Sequence, residues 1–349
     1  MQLSREPLSG FGMKHRLQLA LILAGIGAVG LIGCKSSGGR GGADASAPKG
    51  VDRYVQAMQQ YQAGDKERAM AQLIEATRVN PNLIMPRVML GDMYRSEGNM
   101  NDAVTQYEQV TKLDPYYASN WYKLGVGYQF AERLKDAAGS YQKALKLKPA
   151  DAKSNMNLGL VQLYLGNTDQ ALEYARKATQ LEPRNAAAWS NLGVTLDAMG
   201  DYPRAEEAYR KGIDLDPDNP ATLVNLATNL MAQNKAPEAS ELMKRAVSIS
   251  NTAALRKRYG DALAKSGRYD EAVAQYQQAL KLDGRYYPAL TELGFTRLAE
   301  YRKGLELDDS KRADAVTFWK RSMEINSNQP KVEAALKEYG HSAQSLLEK

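Results

Sequence analysis

The chain has 349 residues, of which 25% are charged and 44% belong to the hydrophobic class, so wholesale disorder is excluded. Lys plus Arg number 46 against 40 Asp plus Glu, a formal +6 without any dense basic block, so charge gives no argument for a nucleic-acid partner. The only cysteine is Cys34, and the two histidines are His15 and His341, which excludes an intramolecular disulfide, a cysteine-based zinc site and a His-centred active site.

The chain order begins with Lys14, His15 and Arg16, followed by an apolar run from Leu17 to Gly33. A charged start, an apolar middle and small residues at the end read as a secretory signal; the run is too short and Gly-rich for a spanning helix. Starting at Met13 would place the charges directly at the N-terminus. Gly25-Ile26-Gly27-Ala28-Val29-Gly30 fits a dinucleotide-binding pattern but lacks the strand-turn-helix context that the pattern requires. The run ends Leu31-Ile32-Gly33-Cys34, which resembles the lipobox of bacterial lipoproteins. That resemblance implies cleavage before Cys34 and acylation of Cys34, with residues 1–33 removed. Lys35 is not Asp, which in enterobacterial lipoproteins implies export to the outer membrane, facing the periplasm. Residues 34–50 combine this cysteine with a Gly/Ser/Ala linker, whose reach is roughly 20–25 Å.

From residue 51 a 34-residue period governs the sequence. Pro81, Pro115, Pro149, Pro183 and Pro217 are each 34 apart. Trp121, Leu124, Gly125 and Tyr128 share one helix face; after a break, Ala137, Tyr141 and Ala144 share a second. A small residue recurs in the first helix at Ala57, Gly91, Gly125, Gly159, Gly193, Ala227, Gly260 and Gly294. An alanine opens the second at Ala69, Ala103, Ala137, Ala171, Ala205, Ala239, Ala272 and Ala315. Small side chains permit close helix approach, Gly suits the left-handed end of the first helix, and Pro stops the second.

These residues resemble the tetratricopeptide repeat. The resemblance implies an all-α, right-handed α-α superhelix of eight helix-turn-helix repeats over 51–329, with first helices lining a concave face. Pro330 opens a C-terminal capping helix over 330–349, with Val332, Ala335, Leu336 and Tyr339 as its apolar stripe. The last repeat carries about nine extra residues around Tyr301–Asp309, expected as a solvated turn or a lengthened helix pair. The many tyrosines, 20 against 4 Phe, are expected as core residues with a polar tip. Arg256-Lys257-Arg258 is expected as a solvated face.

The resemblance places the candidate site on the first helices. Asn157, Asn191 and Asn225 hold one position in three successive repeats, where an asparagine ladder could grip a peptide main chain through both donor and acceptor. Asparagine is also simply common at this repeat position, and both readings stand. Val126, Phe130, Leu160, Leu163, Tyr164 and Val194 form a candidate apolar patch, with Phe130 and Leu163 expected to be the most exposed. The two-carboxylate clamp of the family is absent, because its positions read Tyr54 and Met58, Val88 and Asp92, Tyr122 and Val126. No catalytic constellation, cofactor or metal site is expected. The reading is a lipid-anchored bacterial envelope adaptor that binds protein or peptide, with polysaccharide export or a passive spacer as alternatives.

Overall fold

The computed structural model describes residues 49–304 and 308–340. The signal segment, Cys34, most of the linker, His15 and His341 lie outside the described residues, as do 305–307 of the insertion and the last nine residues of the expected cap. The described residues form seventeen α-helices and no strand. They fall into two compact units, one ending at Met199 and one beginning at Gly200.

The first unit holds α1 (Val51–Gln62), α2 (Lys66–Val79), α3 (Ile84–Ser96), α4 (Met100–Leu113), α5 (Ala118–Phe130), α6 (Leu134–Leu147), α7 (Ala152–Tyr164), α8 (Thr168–Leu181) and α9 (Ala186–Ala198). The second holds α10 (Tyr202–Leu215), α11 (Pro220–Ala232), α12 (Ala236–Ile249), α13 (Ala253–Lys265), α14 (Tyr269–Leu282), α15 (Tyr287–Lys303), α16 (Asp309–Ile325) and α17 (Pro330–Tyr339).

Local chemistry sets the breaks. Gly64, Gly98 and Gly166 follow first helices with φ of 87°, 84° and 83°, a region where a side chain would be strained. Glu132 (φ 59°) and Asn234 (φ 61°) hold the same place without that freedom. Side chains of Asp65, Asp151, Asn185, Asn219 and Thr252 accept hydrogen bonds from first-turn N–H groups and so start helices. The turn before the first helix has a further tie. The indole N–H of Trp121 donates to the Pro115 carbonyl at 2.7 Å, and that of Trp189 to Pro183 at 2.8 Å. The guanidinium of Arg87 does the same to Pro81 at 3.0 Å.

In four pairs an aromatic ring of the second helix lies on the glycine of the first, whereas Gly159 of α7 faces the α8 backbone at Ala171 and Ala175. A Cβ placed on Gly91 would stand 2.5 Å from the Tyr107 ring, and one on Gly125 would stand 2.6 Å from that of Tyr141. Gly260 faces Tyr276 in the same way, and Gly294 faces Trp319. Tyr107, Tyr141, Tyr276 and Trp319 are all fully buried, the tyrosines with bonded hydroxyls. This is the core-with-polar-tip role expected of them.

Neighbouring pairs stack through each second helix and the next first helix, as in α4–α5, α6–α7 and α12–α13. First helices also touch one another, α5 with α7, α7 with α9, and α13 with α15. They therefore form the inner layer of each unit. The insertion resolves as a lengthened pair, since α15 and α16 have 17 residues each against the usual 13 and 14. Val332 and Ala335 of α17 are buried with Leu298, Ala315 and Trp319, with Leu336 and Tyr339 packed alongside, so α17 covers the apolar end of the last pair.

Candidate functional site

In the first unit the candidate site lies on the inner helices α5, α7 and α9. Asn157 lies mid-helix in α7 and is 4% exposed. Its amide nitrogen donates to the Tyr141 hydroxyl at 3.2 Å and to that of Tyr122 at 3.4 Å, while Oδ1 has no protein partner. Tyr141 donates onward to Gln129 Oε1 at 2.8 Å. Burial pushes the Tyr141 hydroxyl well above its ordinary range, so it stays protonated and keeps this donor role. The Tyr122 ring packs on that of Tyr141 with centroids 5.9 Å apart. Asn191, one repeat on in α9, is 2% exposed, and neither of its amide atoms has a protein partner. Asn225 lies in α11 of the second unit, half-buried, with its amide nitrogen also unpartnered.

A buried amide atom without a partner costs about 1–3 kcal/mol, because its water is lost and nothing replaces it. Such atoms are rare in a packed interior. Here they recur at one repeat position in three consecutive first helices, as Oδ1 of Asn157, both amide atoms of Asn191 and Nδ2 of Asn225.

The apolar residues divide. Phe130, Leu163, Tyr164, Val126 and Val194 are all half-buried, so each keeps some accessible surface. Val126 packs against the core around Leu124, Tyr141 and Leu158, as an ordinary contact between helices would. Leu160 is a correction. It is 1% exposed, enclosed by the helix layers, and offers nothing to a partner. The patch is thus smaller than expected, and Phe130 and Leu163 sit at the C-terminal ends of their helices, α5 and α7.

Charged inner residues were not legible as such. In α5, Lys123 holds the position that Asn157 takes in α7. Its ammonium donates to both Asp92 oxygens at 2.7 and 2.6 Å, and the Tyr107 hydroxyl reaches the same carboxylate at 2.7 Å. This ties α3 to α5 with an ion pair at the repeat position where α7 carries Asn157. In the second unit the Arg256-Lys257-Arg258 run is not a solvated face. All three are half-buried, and Arg256 bonds Asn251 and Gln275. Lys257 pairs with Asp261 at 2.9 Å and with Glu292 at 3.6 Å. Sequence could have flagged the alternation, since Lys257 and Asp261 are one helical turn apart.

An open groove of about 950 Å³ also lies between α6 and α8, lined by Leu145, Lys146, Pro149, Tyr174 and Lys177 among others. Its charges are of both signs and bring no nucleophile and base together. Among the described residues there is no group of three or more His, Cys, Asp or Glu placed to hold a metal ion. Nor is any described helix long and apolar enough to cross a membrane.

Solved structures with the same architecture share little sequence. A chain of the APC/C hetero-tetramer Cut9–Hcn1 is 17% identical with a TM-score of 0.57, the match covering 84% of this chain and 57% of that one. The chain thus spans little more than half the length of that relative. A tetratricopeptide repeat protein from Parabacteroides merdae is 16% identical with a TM-score of 0.54, covering 73% of this chain and 98% of its own. The pilF protein of Pseudomonas aeruginosa is 21% identical with a TM-score of 0.50, covering 57% and 90%. At these identities the likeness concerns the fold alone. No curated protein sequence matches the chain. A family model does match, over residues 50–292, which is more than half of the chain. The chain therefore belongs to the tetratricopeptide-repeat family described as the Cilia and flagella-associated protein 70 C-terminal domain.

Proposed function

We propose that this protein is a protein-binding adaptor of the bacterial envelope, tethered through a lipid on Cys34 and gripping an extended peptide segment along the first helices of its first unit. The observation that carries the binding role is the unpartnered amide atoms on Asn157 and Asn191 in the first unit, a feature that Asn225 repeats by itself in the second. A peptide main chain presents a donor and an acceptor at regular intervals, which is what such amides lack; because Asn157 and Asn191 are only 4% and 2% exposed, the segment must displace the inner side chains that cover them. Burial makes each new bond stronger than it would be in water, and the interaction does not depend on the peptide's side chains. Phe130 and Leu163 would take apolar side chains of the same segment.

Photocrosslinking tests the binding role. A photoreactive residue at 130, followed by mass spectrometry, should give one dominant protein adduct that the Asn157 and Asn191 double alanine variant loses. An undiminished adduct in that variant would refute the amide grip. The anchor is tested separately, by acyl labelling in cells: Cys34→Ser should abolish label and release the protein from the membrane fraction. Labelling that survives the substitution would refute the tether.

A further inference from the structure

One edge of the first unit is apolar, basic and adjacent to the linker. Each second helix of that unit ends there, and a turn leads on to the next first helix: Asn80 to Leu83 before α3, Asp114 to Tyr117 before α5, and Lys148 to Asp151 before α7. Tyr116 is 84% exposed, Tyr117 60%, and Met85, in the first turn of α3, 56%; these are the most exposed large hydrophobic side chains among the described residues, and all three lie on this edge. Val79, Leu113 and Leu147, the last residues of α2, α4 and α6, are exposed beside them. Their counterparts Leu215, Ile249 and Leu282 in the second unit are just as open, so that position is ordinary for this repeat. The exposed tyrosine pair is not ordinary. The same turns elsewhere read Ala150-Asp151, Arg184-Asn185 and Asp218-Asn219, and the similar pair Tyr286-Tyr287 is half-buried. The turns on the opposite edge of the first unit read Gly64-Asp65, Glu97-Gly98-Asn99 and Glu132-Arg133, which are polar.

The charge on the apolar edge has one sign left over. Lys112, Lys146 and Lys153 are exposed there and make neither an ion pair nor a hydrogen bond among the described residues. Arg78 is matched by Glu75, and Lys148 by Asp151, which also caps α7 by accepting the Ser154 N–H at 2.9 Å. Asp114 is held in its own turn, accepting the Tyr116 N–H at 3.2 Å. The linker arrives at this same edge. Gly50, which leads into α1, is buried, and a Cβ on it would stand 2.9 Å from the Ala76 carbonyl oxygen and 3.3 Å from Leu83 Cδ1. Leu83 is two residues from Met85, and Cys34 is within roughly 20–25 Å of Gly50 along the linker. Tyrosines, a methionine and unpaired lysines together suit the boundary between membrane and water. Rings with polar tips sit at headgroup level, and long cations reach anionic phosphates.

We infer that this edge of the first unit rests on an anionic membrane surface, with Tyr116, Tyr117 and Met85 among the headgroups and Lys112, Lys146 and Lys153 on their phosphates. The inference rests on the Cys34 tether proposed above and deepens it. A lipid on a flexible linker holds the unit near the bilayer without orienting it, whereas a second contact fixes which edge faces the lipid. No described helix is long and apolar enough to cross a membrane, so the contact is one of surface. It uses helix ends and turns, and it therefore leaves the inner faces of α5, α7 and α9 uncovered for a partner.

The test uses the full chain, purified from bacteria with its acyl groups and reconstituted in vesicles of phosphatidylcholine or of an equal mixture with phosphatidylglycerol. A photoreactive phenylalanine analogue at 116 should give phospholipid adducts about tenfold or more above the same analogue at 97, where Glu97 is exposed on the opposite edge. Phosphatidylglycerol should raise the yield at 116 about threefold. Lys112→Gln, Lys146→Gln and Lys153→Gln together should remove that increase; all three side chains are exposed, so circular dichroism should stay unchanged. Equal yields at 116 and 97 overturn the inference alone. So does a yield at 116 that ignores phosphatidylglycerol, or an increase that survives the triple substitution. In whole cells, a protein adduct dominating over lipid at 116 also overturns it and marks the edge as a protein surface instead. Absence of an acyl group on Cys34 overturns the tether and this inference with it.

Discussion

Gly125→Ala gives the sharpest test of how the repeats hold together. A methyl group there would lie 2.6, 2.7 and 3.0 Å from three ring atoms of Tyr141. Ordinary carbon contacts are about 3.5–4.0 Å, so the ring or the α5 backbone must move by roughly 1 Å. Tyr141 is fully buried and has no free space to enter. Overpacking of this kind costs about 1–3 kcal/mol. Displacing the ring also lengthens the Tyr141 hydroxyl bond to Gln129, now 2.8 Å, and the Asn157 bond to Tyr141, now 3.2 Å, at about 1 kcal/mol. Alanine returns about 1 kcal/mol of helix propensity. The net expectation is a loss of about 1–3 kcal/mol, or about 3–10 °C in melting temperature for a unit of this size. Gly139→Ala in α6 is the control, since a Cβ there has no neighbour within 4 Å; it should gain about 0.5–1 kcal/mol. Thermal and urea unfolding followed by circular dichroism compare the two. If Gly125→Ala melts at or above Gly139→Ala, the ring-on-glycine contact does not limit the packing and the reasoning fails.

Further predictions address single residues. Asn157→Ala should destabilise by about 1 kcal/mol, since it strips a bond from Tyr141, whereas Asn191→Ala should cost no more than about 0.5 kcal/mol because its amide has no protein partner; equal losses in a melt would contradict this. Glu132→Gly should stabilise by about 1 kcal/mol, because Glu132 holds a φ of 59° that glycine adopts without strain; a lower urea midpoint would contradict the backbone argument. Burial opposes ionisation of Glu206, yet hydrogen bonds from Lys235, Arg210 and Gln233 outweigh it and hold the carboxyl down to about 2. A depressed carboxyl stabilises the fold fully above its unfolded value near 4.5, and that contribution is lost as pH falls towards 2. After solvent screening it is on the order of 1–2 kcal/mol, so Glu206→Gln should lower the melting temperature at pH 7 and much less at pH 3. An equal drop at both pH values would show that the charge does not matter.

The sequence alone determined the helices and their pairing. Proline, glycine and alanine at fixed intervals act through the residues next to them, so Gly64, Gly98 and Gly166 end helices wherever the fold places them. The Gly125–Tyr141 contact was equally legible, because the two residues lie in one pair joined by a short turn. What only the tertiary structure decided depends on neighbours about one repeat away in the chain. Leu160 and Leu163 both read as apolar inner residues, yet the packing of α7 between its neighbours encloses the first and leaves the second partly open. Lys257 read as solvated until Glu292, from the next repeat, was found beside it. Asn157 and Asn191 are the same residue at the same repeat position, but Tyr141 meets the first, and no protein group meets the second. Periodicity fixes which face a side chain occupies; the polar or apolar group that stands opposite is set by a different repeat, and no single period encodes it.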